Sequence, residues 1–420
     1  MSFEKGIIDC KAIESMRTNG GNIMERLIGT TSRGIRAPII KKGDDITEIV
    51  VDSVLKAVNS SGIQLENQDI VSVTEAVVAR AQGNYASVDD IAEDVKEKFK
   101  DADAIGVIFP ILSRNRFSLC LKGIARGAKK IVLMLSYPSD EVGNGLVTFD
   151  QLDDKNIDPY EDVLTEAKFR ELFGYEKHPF TGIDYIDFYK NVILSEGCEV
   201  EVLLANHPKA VLTYTPHVLH CDIHTRKRTR RLLEKAGAKT IYSLAEILNA
   251  SRNGSGYNED YGLLGSNKAT DETLKLFPRD CQNVVDQIHD KFLEKTGKNI
   301  EVMVYGDGAF KDPVGGIWEL ADPVVSPAYT SGLVGQPNEI KLKYIADNEF
   351  SHLKGRELED AIRAYIEKKG EDLTGDMTAE GTTPRRLTDL LGSLSDLTSG
   401  SGDKGTPIIL IQGYFDSYAK

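Results

Sequence analysis

The sequence has few cysteines and no apolar run long enough to cross a bilayer. The cysteines are odd in number, scattered and free of Cys-x-x-Cys motifs; they are Cys10, Cys120, Cys198, Cys221 and Cys281. Since disulfide frameworks usually pair an even number of cysteines, we predict reduced thiols in a cytoplasmic protein. No segment approaches the roughly 20 apolar residues of a membrane span, and the start of the chain lacks an apolar signal core, so neither a membrane partner nor a secretory signal is predicted.

Positive charge is also scarce. Lys+Arg 51 against Asp+Glu 65 gives a net charge of −14. Because binding to nucleic acid needs a positive surface that neutralises phosphates, this balance argues against a nucleic-acid partner, although it leaves room for a local basic pocket. The hydrophobic content of 41% and the length of 420 residues indicate a globular protein of two or three domains.

The first part of the chain predicts helices around one strand. Asp44 and Asp45 precede apolar residues at helical spacing, and acidic residues suit a helix N-terminus because its backbone N–H groups are unpaired. The segment "DIVSVTEAVVARAQG" (69–83) predicts a strand followed by a loop. The segment "SVDDIAEDVKEKFK" (87–100) predicts an amphipathic helix with a serine N-cap.

The hydrophobic pattern changes in the middle of the chain. The continuous apolar runs "ADAIGVIFPI" (102–111) and "KKIVLMLSYP" (129–138) are typical of strands buried on both faces. The segments "RFSLCLKGIARGA" (116–128) and "RRLLEKAGAKTIYSL" (230–244) predict helices that end at glycine before the next strand. Helices that alternate with buried strands predict a parallel α/β module.

Beyond a polar link at 249–262, the pattern predicts helices at 279–297 and 356–370 and a strand before "GDG". The C-terminal "LTSGSGDKGTPIILIQGY" predicts a Gly/Ser turn that leads into a strand. We therefore predict a chain divided into residues 1–100, 101–250 and 251–420.

Four segments outside the module carry a resemblance. They are "APIIKKGDDITEIV", "QDIVSVTEAVVARAQGN", "YGLLGSNKATDETLKLFPRD…KTGKNIEVMVYGDGAF" and "LTDLLGSLSDLTSGSGDKGTPIILIQG". In order they are similar to a Leu-Ile-x-x-Gly-Asp-Asp-Leu opening, a strand with a Ser-Lys-x-Glu-Gly-Arg turn, a Gly-Ile-Asp-x-Ser-Asn loop with a later Thr-Asp-x-x-Gly turn, and a Gly-rich loop. In this order and spacing the chain resembles the gamma-glutamyl ligases of coenzyme F420-0.

The resemblance implies an α+β fold, in which a ligase-like mixed α/β core is interrupted by an inserted parallel-sheet α/β domain. It also implies an amide ligase that uses GTP or ATP, with Mg²⁺ or Mn²⁺, to add glutamate or another amino acid to a small carboxylate acceptor through an acyl phosphate. A homodimer is the assembly that the resemblance implies.

Positions of the family's site map onto this sequence. The basic residue of the Ser-Lys-x-Glu-Gly-Arg turn falls on Arg80, which becomes the candidate catalytic residue. The acid of the Thr-Asp turn falls on Asp307, either as a metal ligand, since Mg²⁺ and Mn²⁺ prefer oxygen, or as a simple turn former. The Gly-rich loop predicts phosphate contacts, although it lacks the full P-loop pattern. Its candidate residues are Gly400, Ser401, Gly402 and Lys404.

Other positions depart from the family's pattern. The family's metal-binding Asp falls on Leu264, whose side chain has no oxygen for a hard cation. The Glu of the turn becomes Gln82 and its final Arg becomes Asn84. Glu259 and Asp260 are then either replacement metal ligands or solvated linker residues. These departures support an alternative function, a non-catalytic ligand-binding or regulatory protein that kept the fold and lost the metal site.

In the predicted module, a polar stretch follows the first buried strand. Ligands of open α/β sheets bind beyond the carboxyl ends of strands, and helix N-termini favour anions. This position therefore predicts contacts to a substrate or anion, with ordinary loop polarity as the alternative. The candidates are Ser113, Arg114, Asn115 and Arg116.

The stretch "TPHVLHCDIHTRKRTRR" (215–231) allows several interpretations. As a helix it would align His217, His220 and His224 on one face, as a transition-metal site requires. In the other interpretation, a strand "AVLTYTP" ends at Pro216 and leads into a loop, and a helix capped by Thr225 follows.

Basic residues would then open that helix, where positive charge opposes the helix dipole. Such a cluster indicates a bound anion, a carboxylate-rich neighbour, or a solvated surface. The candidate anion contacts are His220, Arg226 and Arg228.

Overall fold

Two sheets organise the residues that this computed structural model describes, namely 27–379, 385–400 and 402–419. One sheet takes strands from both ends of the sequence, and the other takes strands only from its middle. Within the described ranges, no helix has both the length and the apolar character needed to span a membrane. Cys10 and the predicted phosphate contact at Ser401 lie outside these ranges. The predicted α+β fold is confirmed.

The helices and strands are labelled in chain order. The strands are β1 Thr31–Ile35, β2 Ile70–Thr74, β3 Tyr85–Ser87, β4 Ile105–Ile108, β5 Lys130–Leu135, β6 Leu164–Thr165, β7 Glu199–Leu204, β8 His217–His220, β9 Thr240–Ser243, β10 Asn267–Lys268, β11 Thr273–Lys275, β12 Glu301–Tyr305, β13 Ala328–Tyr329 and β14 Ile408–Gln412. The helices are α1 Ile46–Ser61, α2 Glu75–Gln82, α3 Val88–Lys98, α4 Phe117–Gly127, α5 Phe149–Lys155, α6 Glu166–Phe173, α7 Tyr185–Ser195, α8 Arg226–Lys235, α9 Cys281–Thr296, α10 Leu342–Asp347, α11 Gly355–Glu367 and α12 Leu387–Thr398. Short 3-10 helices span Pro208–Thr213, Leu244–Glu246 and Ser331–Leu333.

The core sheet has the strand order β1-β14-β2-β12-β13. Strands β2 and β12 are parallel, whereas β14 is antiparallel to both β1 and β2. Alternate residues of β2 face opposite layers: Val71 and Val73 pack with α1 and α9, while Ile70 packs with α12. This period of two places apolar residues on both faces, so the sheet lies between two helical layers.

Local signals define the first helices. The side chain of Asp45 accepts a hydrogen bond from the backbone N–H of Glu48 and caps α1, as predicted. Ser87 caps α3 in a capping box with Asp90, also as predicted. The loop predicted after β2 was wrong, because residues 75–82 form α2. The two valines of "EAVVARAQ" resemble a strand ending, but the Ala, Glu and Gln around them favour a helix.

A small three-stranded sheet has the order β10-β11-β3. It joins β3, which precedes the module in the sequence, to β10 and β11, which follow it. Strand β11 pairs antiparallel with β3, so Lys275 lies opposite Tyr85. The pairing brings residues that flank the middle of the sequence into contact and turns Lys275 toward the end of β2.

The module sheet has the order β6-β7-β5-β4-β8-β9, and all its pairs are parallel except β6 with β7. Helices α3 and α4 cover one face, and α8 covers the other through Leu233. Close packing of α3 on α4 requires Gly123, because a Cβ there would lie 2.6 Å from Cβ of Ile91. Helix α3 covers the module sheet although it lies before residue 100, within the part of the chain predicted to belong to the core. The division of the chain at residues 100 and 250 stays a prediction.

The segment between β12 and β13 (306–327) lies against the module. The backbone N–H of Trp318 donates to the carbonyl of Val142 at 2.6 Å, and the ring Nε2 of His224 lies 2.7 Å from the carbonyl of Leu320. A Cβ at Gly143 would lie 2.5 Å from the carbonyl oxygen of Gly316, so the two backbones can approach only because Gly143 has no side chain. These contacts place residues of the 306–327 segment beside the edge of the module sheet.

Candidate functional site

The candidate site lies where two parallel strands of the core end side by side. Thr74 of β2 is opposite Tyr305 of β12. Glu75, the first residue of α2, directly follows Thr74, and Asp307 follows Tyr305 after Gly306. Because parallel strands bring their carboxyl ends to one edge, acids that follow them are brought close together.

Glu75 forms an ion pair with Lys275. Its carboxylate oxygens lie 2.7 and 2.8 Å from Nζ of Lys275, and the side chains are 6% and 11% exposed. Sequence reasoning missed both residues. The position of Glu75 after a Val-rich strand was an available signal, whereas nothing local marks Lys275.

Asp307 is joined to Arg116, which comes from the module sheet. Nη2 of Arg116 donates to Oδ2 of Asp307 at 2.9 Å and to Oδ1 at 3.1 Å. Nη1 donates to Oδ1 of Asp322 at 2.6 Å. The second oxygen of Asp322 accepts the backbone N–H of Asp307 at 2.9 Å. A single guanidinium therefore bridges two carboxylates of the core.

Glycine and helix α12 fix the turn that presents Asp307. A Cβ at Gly306 would lie 2.5 Å from Oδ2 of Asp322, so this position cannot take a side chain without displacing the carboxylate. Asp396 of α12 accepts the backbone N–H of Gly308 at 3.0 Å. Asp322 and Asp396 were also missed, because no sequence pattern connects them to Asp307.

We call Glu75, Asp307, Asp322 and Asp396 the carboxylate centre. Burial raises the pKa of Asp307 to about 7; repulsion from Asp322 adds to the rise and attraction to Arg116 opposes it. Burial also raises the pKa of Glu75 to about 7 against the attraction of Lys275. Acids here outnumber the cations Arg116 and Lys275, so the centre holds a proton near neutral pH.

Burial opposes the charge of Arg116, but Asp322 and Asp307 more than offset it. Their attraction raises the pKa of the guanidinium above its ordinary value. Arg116 therefore stays charged at any pH at which the fold persists.

The residues do not fit the divalent metal that the resemblance implies. Both oxygens of Asp307 already accept from Arg116. Leu264, at the family's ligand position, is a buried aliphatic residue. Among the residues that the structure describes, no three His, Cys, Asp or Glu side chains are grouped to hold an ion. A hard cation that keeps several waters still needs one or two free carboxylates, and the guanidinium already holds those of Asp307 and Asp322.

Glu259 and Asp260 lie elsewhere. Both are exposed, and they line a cavity of about 720 Å³ that Gln82 and Arg279 also line. Asp307 is not part of this lining. The three predicted metal ligands are thus not grouped. Arg80, the predicted catalytic residue, is exposed on the last turn of α2 and is not part of the lining either.

The Gly-rich loop follows α12 and folds back on itself. Gly400 and Thr406 form a β-bridge, and the Thr406 N–H donates to the Gly400 carbonyl at 3.1 Å. Gly402 and Lys404 are exposed at its tip. The loop ends beside the end of β2, since the N–H of Thr74 donates to the carbonyl of Pro407 at 3.0 Å. Its residues therefore lie at the same edge of the core sheet as the carboxylate centre.

Of the polar stretch after β4, only Arg116 reaches the carboxylate centre. Ser113 caps the turn before α4, because its Oγ accepts the backbone N–H of Arg116 at 3.0 Å and of Asn115 at 3.3 Å. Arg114 and Asn115 are exposed. Of the four predicted contacts, Ser113 is therefore a cap, Arg114 and Asn115 are exposed to solvent, and Arg116 contacts the core.

Two of the elements predicted for the histidine-rich stretch are wrong. Residues 217–220 form β8, so the predicted helical face of three histidines was wrong. The predicted strand "AVLTYTP" was also wrong, because residues 208–213 form a 3-10 helix. The helix that begins after Thr225 was predicted correctly.

Two carboxylates lie at the start of α8 and accept hydrogen bonds from residues around it. Asp222 accepts from Nδ1 of the buried His220 and from the hydroxyls of Thr225 and Thr229, each at 2.7 Å. Glu141 accepts the backbone N–H groups of Ile223 and His224. Carboxylates therefore do lie beside this stretch, and the predicted anion contacts stay a prediction. Of the predicted contacts here, Arg226 donates to the carbonyl of Ile223, and Arg228 is exposed.

Comparison with known proteins supports the resemblance. A search of curated proteins found no significant match. The family model described as F420-0:Gamma-glutamyl ligase matches residues 34–413, which include the whole carboxylate centre, the module sheet and the core sheet apart from residues 31–33 of β1. This span is far more than half of the chain. The chain therefore belongs to the F420-0:Gamma-glutamyl ligase family.

Proposed function

We propose that the protein is an amide ligase that adds glutamate, or another amino acid, to a small carboxylate acceptor and consumes GTP or ATP. Membership of the gamma-glutamyl ligase family over residues 34–413 is the observation that carries the proposal. The use of a nucleotide, the acyl phosphate and the identity of the acceptor are parts of the proposal itself.

The proposed reaction has two steps. An oxygen of the acceptor carboxylate attacks the γ-phosphorus, and the bond to the nucleoside diphosphate breaks. The amine of the amino acid then attacks the acyl carbon, inorganic phosphate leaves with the acceptor's oxygen, and the amine loses a proton. The exposed Gly402 and Lys404, at the tip of a loop at the edge of the core sheet, support a phosphate-binding role for the Gly-rich loop.

The carboxylate centre suits the proton transfer. Burial raises the pKa of both Glu75 and Asp307 to about 7. A group with a pKa near the working pH is an effective general base, because its basic form is populated and it still takes a proton readily. We assign acceptance of the amine proton to this centre. The Mg²⁺ or Mn²⁺ dependence stays a prediction, and no step is assigned to a protein-bound ion.

A second function, a ligand-binding or regulatory protein without turnover, is favoured by a specific observation. Arg116 occupies the oxygens of Asp307 and Asp322, and Leu264 adds no ligand. A protein with this fold and no metal site would still bind a nucleotide or a carboxylate but would not catalyse amide formation.

Isotope transfer distinguishes these proposals. The protein is incubated with GTP or ATP, each with Mg²⁺, Mn²⁺ or chelator, together with glutamate and a panel of acceptors labelled with ¹⁸O in the carboxylate. Ligase activity should give an amide in the mass spectrum and move ¹⁸O into inorganic phosphate. Calorimetry accompanies each condition. Binding without amide formation supports the second function, and the absence of nucleotide binding in all conditions overturns the ligase.

We also propose a homodimer with small-molecule partners and a cytoplasmic location, on the basis of the family resemblance. Light scattering coupled to size exclusion tests the assembly directly. A monomeric mass at micromolar concentration would remove the homodimer from the proposal.

A further inference from the structure

We infer that the guanidinium of Arg116 is the resident cation of the carboxylate centre, in the place where the family resemblance implies a divalent metal ion. The inference rests on the contacts of Arg116 and on family membership, not on turnover. It therefore holds for either function proposed above.

The contacts of Arg116 match those of a bridging cation. Its two terminal nitrogens face different carboxylates, Nη1 toward Asp322 at 2.6 Å and Nη2 toward both oxygens of Asp307 at 2.9 and 3.1 Å. A guanidinium is planar, always charged and suited to two acceptors at once. One positive group thus holds two acids that would otherwise repel each other across the turn.

Backbone N–H groups also donate to oxygens of these carboxylates. The backbone N–H of Asp307 donates to Oδ2 of Asp322 at 2.9 Å, and the N–H of Ala321 donates to Oδ2 of Asp307 at 3.2 Å. Asp396 is held by the N–H of Gly308. A divalent ion would have to displace the guanidinium and break several of these hydrogen bonds.

The surroundings of Arg116 are unsuited to a hydrated ion. Arg116, Leu264 and Ala321 line the same cavity, whose other lining residues are largely apolar and whose volume is about 20 Å³. That volume holds about one water molecule. Mg²⁺ normally keeps several waters, so a hydrated ion has no room beside the guanidinium while Arg116 is in place.

The cation comes from the module and not from the core. Arg116 lies between β4 and α4, and Ser113 holds its backbone N–H. Asp307 and Asp322 belong to the segment that follows β12. The module therefore supplies a permanent positive charge to the core, which explains how the centre remains assembled with Leu264 in place of an acid.

Mn²⁺ binding to the full-length protein tests this inference. Electron paramagnetic resonance of free Mn²⁺, without nucleotide, measures how much ion each variant binds. The negatively charged surface can also bind Mn²⁺, so only binding that disappears with Asp307→Asn counts. We expect no Asp307-dependent site in the wild type, and none in Arg116→Lys, which keeps the charge.

Arg116→Gln removes the charge and keeps a hydrogen-bond donor. We expect this variant to gain an Asp307-dependent site with a Kd about tenfold or more below that of Arg116→Gln/Asp307→Asn, because two freed carboxylates attract a divalent ion. Thermal unfolding confirms that each variant is folded, and Arg116→Ala replaces Arg116→Gln if that variant is not.

Two outcomes overturn the inference. One is Asp307-dependent Mn²⁺ binding in the wild type, a measurement that needs no variant of Arg116. The other is a folded Arg116→Gln protein without such a site. Neither outcome bears on whether the protein forms an amide bond, so failure of the ligase proposal is recognised separately by the ¹⁸O experiment.

Discussion

Nη1 of Arg116 lies 2.6 Å from Oδ1 of Asp322, and this ion pair joins the module sheet to the core. Asp322 is 2% exposed at its side chain. Arg116→Ala leaves that carboxylate and Asp307 without their cation, and breaking a buried pair typically costs about 3 to 5 kcal/mol. We expect a lower thermal midpoint. The exposed neighbour Arg114→Ala is the matched control and should change stability by about 0.5 kcal/mol or less. Equal effects of the two substitutions would contradict the assignment.

Glu75 should make stability depend on pH. Its pKa is raised from 4.5 to about 7 by burial. Between these values the unfolded chain has released the proton that the folded chain still binds, so the contribution of Glu75 to stability falls as pH rises from about 4.5 to about 7. The full change is on the order of 3 kcal/mol. Urea unfolding at several pH values measures it.

Glu75→Gln should remove the share of this fall that comes from Glu75, while Asp307, whose pKa is also raised to about 7, still contributes its own. Lys275→Met should extend the fall to higher pH, since the attraction of Lys275 opposes the rise in the pKa of Glu75. An unchanged pH profile in Glu75→Gln would show that the carboxyl titrates normally.

Gly306→Ala should disturb the carboxylate centre without changing any charge. The added Cβ would lie 2.5 Å from Oδ2 of Asp322. Overpacking of this kind costs about 1 to 3 kcal/mol, and Asp322 must shift away from Arg116. The control is Gly29→Ala, where no heavy atom lies within 4 Å of the added Cβ. Chemical denaturation of both variants measures the difference, and a neutral Gly306→Ala would contradict the close approach.

Asp222 should stabilise the module through its hydrogen bonds. Asp222→Ala leaves His220 and the hydroxyls of Thr225 and Thr229 without their shared acceptor. Each buried group left unpaired costs about 1 to 3 kcal/mol. Hydrogen exchange should show faster opening at the start of α8. The exposed Asp260→Ala serves as the control, and protection that survives Asp222→Ala would argue against this network.

Lys404 provides a test of the Gly-rich loop. If the loop binds nucleotide phosphates, Lys404→Ala should raise the Kd for GTP or ATP by about tenfold, since a charge-assisted hydrogen bond contributes about 1.5 to 3 kcal/mol. Lys56 is exposed on α1 and gives the matched control Lys56→Ala. Calorimetry compares the two. Equal Kd values would remove Lys404 from the phosphate site.

Sequence reasoning succeeded where the cause of structure is local. The caps at Asp45 and Ser87 involve partners three residues away, so short patterns predict them. It failed for α2, where adjacent valines outweighed the helix-forming residues around them. The loop of Arg116 was predicted to bind a substrate or anion, and in the structure Arg116 itself binds two carboxylates of the protein.

The carboxylate centre could not be predicted in full from the sequence. Arg116 and Asp322 are separated by 206 positions, and Asp396 comes from a helix near the C-terminus. No periodicity connects such residues, because they meet only through the path of the segment after β12. The family resemblance identified Asp307 and the altered position at Leu264, but it gave no indication of which residue would face Asp307.

Strand β2 pairs with β12 at Ile70 and Glu301, so the core sheet joins segments made early and late in synthesis. The module sheet, by contrast, draws all its strands from residues 105–243. Closer pairings form faster, and domains generally fold in order of synthesis. On the ribosome the module is therefore expected to fold while β2 still lacks its partner. Arg116 is then already in position when Asp307 and Asp322 are synthesised. The core can therefore fold around a guanidinium that the module has already placed.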